Sequence, residues 1–228
     1  MISNELQFKI AQAVYNSIRD LSISHTVVVV RPRPPPETPL YFHGYKPTSV
    51  HDVFRLMAYP PGGESHFLCQ QPKCFKLDVD LSDVPTRPCC GAQKLCCEQC
   101  WNTLAVPAIS AIRRFFVEEE KVPATDLLFV FSGKKGYHVW VRHRKFIALT
   151  ADESRGILTD LVRYVESHSG LPPRSFVPDS QVSLPTSTLR LPFSNRFGAI
   201  SFPFSPNAAS FENMKATEET LQAALLLI

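Results

Sequence analysis

Five of the chain's seven cysteines fall within twelve residues, between Cys89 and Cys100. No other feature restricts the fold so tightly, because a block of that density asks for one local solution to its sulfur chemistry. The N-terminus, Met1-Ile2-Ser3-Asn4-Glu5, lacks the basic-then-apolar layout of a secretory signal. An intracellular chain is therefore expected, in which thiols serve as metal ligands or stay reduced rather than pairing as disulfides. Zinc takes four thiolates or imidazoles in a tetrahedron, with sulfur about 2.3 Å away. Cys97-x-x-Cys100 is a natural chelating turn, and Cys89, Cys90 or both can complete the set. Cys96 competes with Cys97, while Cys69 and Cys74 lie outside the block and could contribute. Structural zinc is the reading preferred to buried thiols or redox chemistry.

The surrounding pattern is mixed α and β. Leu6, Ile10, Val14 and Ile18 recur at helical spacing and predict a helix over residues 4–20. Val27–Val30 reads as a short strand stopped by a proline-rich loop at residues 31–36. A short helix is expected at 48–58, closed by the turn Pro60-Pro61-Gly62-Gly63. Further strands are expected at 75–81, 127–131 and 137–141, with a strand pair over 189–204 turning near 195–198. Helices are expected at 102–120, at 152–168 with Ile157, Leu158, Leu161, Val162 and Val165 inward, and from Glu218 onward. No apolar run is long enough to span a bilayer. A net charge of +3 is too small to argue for nucleic acid unaided.

Asp78 and Asp80 lie two apart on a predicted strand, so both project from one face. Two like charges there weaken a strand unless something compensates, and a divalent cation held by oxygen ligands does so. In isolation, solvated charges on an edge strand are the preferred reading of the pair, ahead of a metal site. The same Asp-x-Asp spacing also serves nucleotide-sugar glycosyltransferases.

Ser132-Gly133-Lys134-Lys135-Gly136-Tyr137-His138 separates two apolar strands. One reading is a glycine-permitted hairpin turn with exposed lysines. The other is a phosphate cradle: glycines admit an anion to the backbone, lysines supply charge, and serine and histidine donate hydrogen bonds.

In combination these stretches resemble the archaeo-eukaryotic primase superfamily, in particular the small catalytic subunit of DNA primase and the primase-polymerases. That family orders its motifs as Asp-x-Asp strand, cysteine zinc motif, helix, Ser-Gly-x-x-Gly-x-His hairpin and third metal-binding aspartate. A basic residue before a Ser-Pro-Phe-Ser stretch follows. Asp179 in Pro178-Asp179-Ser180-Gln181 matches the third aspartate, and Arg190-Leu191-Pro192-Phe193-Ser194 resembles the last stretch. The resemblance covers roughly residues 75–204. It departs in having Lys134 and Lys135 where arginines are usual, Arg196 where histidine is usual, and one extra residue between Cys90 and Cys97.

The resemblance implies an α+β primase fold of mixed or antiparallel sheets flanked by helices. Residues 1–228 would form one catalytic domain, with a zinc-binding insertion at about 89–100. It assigns Asp78, Asp80 and Asp179 to two magnesium or manganese ions. Ser132, Gly133, Lys134, Lys135, His138, Arg190 and Arg196 would hold the incoming nucleotide, and Cys89, Cys90, Cys97 and Cys100 the zinc. It implies de novo synthesis of short primers on single-stranded DNA from NTPs or dNTPs. A primase large subunit, replicative polymerase or helicase is the expected partner, with no membrane. The setting would be intracellular sites of DNA replication, nuclear in a eukaryotic cell and otherwise cytoplasmic or organellar. The alternatives are a repair or translesion primase-polymerase, a non-catalytic zinc-containing nucleic-acid-binding module, and a glycosyltransferase. Trp101, Phe115 and Phe116 are assigned to the core rather than to base stacking, as is usual for helix-borne aromatics. The apolar end, Ala223 to Ile228, reads as a helix cut short.

Overall fold

A computed structural model describes residues 2–20, 25–31, 40–43, 47–58, 64–70, 74–84, 97–133, 135–184, 187–196 and 199–228. In chain order its helices are α1 (Asn4–Asp20), α2 (Val50–Ala58), α3 (Glu98–Cys100), α4 (Val106–Arg114), α5 (Ala151–His168) and α6 (Glu218–Leu225). The first five strands are β1 (His25–Arg31), β2 (Leu40–His43), β3 (Glu64–Gln70), β4 (Phe75–Asp80) and β5 (Leu127–Phe131). The rest are β6 (Gly136–Val141), β7 (Thr188–Arg190), β8 (Asn195–Arg196), β9 (Ala199–Ile200) and β10 (Phe202–Phe204). Mixed α and β elements are what the sequence pattern predicts, and antiparallel pairing is among what the resemblance implies. Among the described residues no helix is long and apolar enough to cross a membrane.

The chain divides into two units. The first comprises Met1–Gln71, Thr188–Pro203 and Ala216–Ile228. Here α1 packs on α2 and α6, and its stripe of Leu6, Ile10, Ala11 and Val14 is buried, as are Val53, Leu221 and Ala224. An antiparallel sheet runs in the order β2-β1-β3-β8-β9, with β7 also pairing β3. Strands β2 and β3 had no counterpart in the sequence reading. Glu64–Gln70 lacks the apolar alternation that marks a half-buried strand, and its place follows from pairing to β1 and β7 on either side. The proline run at 32–36 and the turn at 60–63 lie outside the described residues. After β7 the chain makes a tight turn at Leu191–Ser194, where Ser194 N–H meets the Leu191 carbonyl at 3.4 Å. Phe193 takes φ 64° there although it is buried. That left-handed backbone is normally left to glycine.

The second unit comprises Pro72–Ser187 and Phe204–Lys215. Its sheet runs β5-β6-β4. Pairings Leu77↔Val139 and Phe129↔Val139 set the register. By strand alternation Phe75, Leu77, Val79, Tyr137, Val139, Phe129 and Phe131 share one apolar face. Trp101 stands edge-on to Phe131 and Tyr137 of that face, at 5.4 and 6.0 Å between ring centroids. Its indole N–H donates to the Ala209 carbonyl at 2.6 Å. Phe75, Phe116 and Phe146 form a second cluster. Trp101, Phe115 and Phe116 are thus core residues, as expected.

The helix expected at 102–120 starts earlier, at Glu98, and runs to Glu119 through two π-type turns, Trp101–Ala105 and Phe115–Glu119. The first has a cause in the sequence. Pro107 has no N–H, and its ring crowds the carbonyl four residues back. The ladder widens just ahead of it, Val106 N–H reaching the Trp101 carbonyl five residues away. Helix α5 is closed by a capping box in which Thr150 and Glu153 exchange hydrogen bonds. Leu158, Leu161 and Val165 are fully inward, whereas Ile157 and Val162 are only half-buried.

Candidate active site

The second face of the β4–β6 pair carries polar chemistry. Opposite one another stand Lys76 and Trp140, Asp78 and His138, and Asp80 and Gly136. Alternation therefore aims Lys76, Asp78 and Asp80 to one side while Phe75, Leu77 and Val79 hold the strand to the core. The carboxylates are partly exposed, 33% for the Asp78 side chain and 28% for that of Asp80, whereas His138 is buried. His138 Nε2 lies 3.6 Å from Asp78 Oδ1, an electrostatic approach rather than a hydrogen bond.

The hairpin between β5 and β6 closes on itself. Ser132 N–H donates to the Gly136 carbonyl at 2.9 Å, and the Ser132 hydroxyl oxygen accepts from Gly136 N–H at 3.1 Å and Lys135 N–H at 3.4 Å. Gly133 takes φ 90°, which a side chain would resist. The turn folds onto β4, where Leu81 N–H meets the Lys135 carbonyl at 3.0 Å. Lys135 Nζ then donates to Asp80 Oδ2 at 3.0 Å. Ser132 thus shapes the turn, and Lys135 delivers a cation to the carboxylate pair. Lys134 lies outside the described residues.

Asp179 arrives from a distant part of the chain. Pro178 forms an antiparallel bridge with Val79, and Asp179 N–H donates to the Asp78 carbonyl at 2.8 Å. The exposed Asp179 side chain accepts Gln181 N–H at 2.8 Å on Oδ1, closing a short turn. All three aspartates singled out in the sequence, together with Ser132, Lys135 and His138, therefore belong to one neighbourhood of the second unit. Arg190 ends β7 and Arg196 ends β8 in the first unit, Arg196 being described by its backbone alone. Lys76, which in the sequence reads only as a polar position alternating with apolar ones on this strand, is fully buried.

The donor set on this face consists of hard carboxylate oxygens, the ligand class of magnesium and manganese rather than of softer metals. The Lys135 ammonium already rests against Asp80. Among the described residues no three His, Cys, Asp or Glu side chains converge into a metal-binding group. The cysteine block is described only at its end. Cys97 caps the helix as its Sγ accepts Cys100 N–H at 3.4 Å, and Cys100 is buried. Cys89, Cys90 and Cys96 lie outside the described residues. Cys69 sits on β3 of the first unit, and Cys74 is buried beside the start of β4.

Residues 77–201 match the family described as DNA primase small subunit. Over 84 residues the chain is 32% identical to the DNA primase small subunit of Saccharomyces cerevisiae (strain S288c). That alignment takes in 36% of this chain and 19% of the yeast protein. The chain thus spans about a fifth of its curated relative's length.

Proposed function

The chain belongs to the DNA primase small subunit family, and on that premise we propose that it synthesises short primers de novo on single-stranded DNA as a DNA-directed nucleotidyltransferase. The observation that carries this reading is the placement of Asp78 and Asp80 on one face of β4 with the hairpin cation of Lys135 3.0 Å from Asp80. A strand that presents two carboxylates to a glycine-rich basic turn suits a nucleoside triphosphate accompanied by divalent ions.

Asp78, Asp80 and Asp179 would hold magnesium or manganese, which when bound would neutralise phosphate charge and favour the attacking hydroxyl. The aspartates then act as ligands, not as general bases. Lys135 exchanges its carboxylate for triphosphate oxygens, and the Ser132–Gly136 turn offers backbone close to the same anion. Catalysis by such residues is mostly positioning and charge stabilisation set up in advance. Cys97 and Cys100, with Cys89 and Cys90 and with Cys96 as the alternative to Cys97, would bind a structural zinc. A large subunit or replicative polymerase gripping the template is the proposed partner, at sites of DNA replication.

The test is primer-free synthesis. Purified chain is incubated with single-stranded DNA, labelled nucleotides and magnesium or manganese, beside an Asp78→Ala/Asp80→Ala variant. Short products that vanish in the variant support the proposal. No product from the folded chain, even with a large subunit added, sinks it in favour of a non-catalytic binding module. Extension of supplied primers from dNTPs without initiation would favour the repair-type primase-polymerase.

A further inference from the structure

Lys76 lies two residues before Asp78 on β4 with none of its surface exposed. A buried ammonium is costly unless it is hydrogen-bonded and faces negative charge. Lys76 has that hydrogen bond. Its Nζ donates to the Ser187 carbonyl at 2.6 Å, and strand alternation puts it on the face of Asp78 and Asp80 at a spacing of about 7 Å per pair.

Ser187 ends the segment that Asp179 begins. At its start the segment is pinned to β4 by the Val79–Pro178 bridge and by the Asp179–Asp78 backbone bond. Beyond Asp179, Leu184 N–H reaches the Gln181 carbonyl at 3.3 Å and Ser187 N–H the Leu184 carbonyl at 3.1 Å. The Ser187 hydroxyl also donates to the Val182 and Leu184 carbonyls. The segment is thus fastened to a single strand at both ends, by backbone beside Asp78 and by Lys76 beyond it.

We infer that Lys76 is a positioning residue: it anchors the far end of the Asp179 segment so that the Asp179 backbone stays paired with that of Asp78. The inference rests on the metal-binding reading proposed above. Two effects of removing Lys76 have opposite signs, which makes the role testable. Loss of a positive charge beside two aspartates would tighten cation binding, whereas release of the loop would weaken it.

The decisive variant is Lys76→Met, close in size and lacking the donor. Manganese binding to the full chain without nucleotide is followed by electron paramagnetic resonance, and amide hydrogen exchange across 179–187 without metal. The expected result is manganese binding at least about fivefold weaker together with faster exchange in that loop, while β5 and β6 keep their protection. Unchanged or tighter manganese binding, or unchanged loop exchange, overturns the inference. An Asp78→Asn control separates it from the reading beneath it. If wild-type manganese binding is absent or indifferent to that control, the metal reading fails and loop exchange alone decides the anchoring role. Should Lys76→Met not fold, Lys76→Gln, whose tip falls short of the carbonyl, replaces it with the same expectations.

Discussion

Gly136 faces Asp80 across the β4–β6 ladder so closely that a Cβ on it would stand 1.8 Å from the Val79 carbonyl oxygen. The obstacle is backbone, which cannot swing aside as a side chain could. Gly136→Ala must push β6 off β4 at the point where Lys135 reaches Asp80. The expected cost is roughly 3 kcal/mol of stability, the upper end for overpacking, with loss of primer synthesis. Urea unfolding and the primer-free assay check it, and a midpoint within error of wild type would refute it.

Lys135 and Asp80 are each about one-third exposed, 33% and 28% for their side chains. An ion pair so placed contributes at most about 1 kcal/mol. Lys135→Met should therefore leave the melting temperature nearly unchanged while raising the nucleotide KM about tenfold, the loss of roughly 1.4 kcal/mol of binding. Lys135→Arg should retain affinity, because a guanidinium forks two hydrogen bonds onto phosphate. A drop of many degrees in Lys135→Met would show the pair to be structural instead.

Trp101 offers a check on where the aromatic residues act. Trp101→Phe keeps ring contacts but removes the donor to the Ala209 carbonyl, an unmet buried acceptor costing about 1–3 kcal/mol. Stability should fall by that order while affinity for single-stranded DNA, read by fluorescence anisotropy, stays put. A selective loss of DNA affinity would place Trp101 in the nucleic-acid interface.

Acid should loosen two helix starts. Hydrogen bonds from the Thr150 backbone and hydroxyl hold Glu153 below the usual carboxylate pKa, and those from the Thr48 hydroxyl and backbone do the same for Asp52. A depressed folded-state value stabilises fully above the unfolded pKa, near 4, and is lost as pH falls through the folded one. The melting temperature should therefore decline below about pH 4, and less steeply in Glu153→Gln. An unchanged slope would mean these caps do not report on folding.

Much of this architecture was legible because its signals are local. The 3–4 spacing of Leu6, Ile10 and Val14 and the glycines flanking Lys134-Lys135 each encode their structure within a few residues. What escaped depends on distant partners. Glu64–Gln70 becomes a strand because β1 and β7 pair with it, not because of its own alternation. The helix before Pro107 begins early because a π turn absorbs the proline, a backbone adjustment that composition does not announce. Asp78, Asp80 and Asp179 could be named from motif order, but only tertiary pairing revealed that Asp179 joins through the Asp78 backbone. The partner of Lys76 is a carbonyl more than a hundred residues away, which no local pattern announces.

The bridge between Val79 and Pro178 also bears on how the protein is born. Among the described residues β4 is the outermost strand of its sheet, and residues 78 and 179 are separated by 101 positions. At synthesis rates of about 5–20 residues per second, the β4–β6 ladder can form seconds before Pro178 exists. During that interval the outer edge of β4 presents unpaired amides and carbonyls, the kind of edge that recruits wrong partners. The carboxylates of Asp78 and Asp80 on that strand supply the charge that discourages such pairing, so the residues proposed for chemistry would first serve the nascent chain as a guard against aggregation.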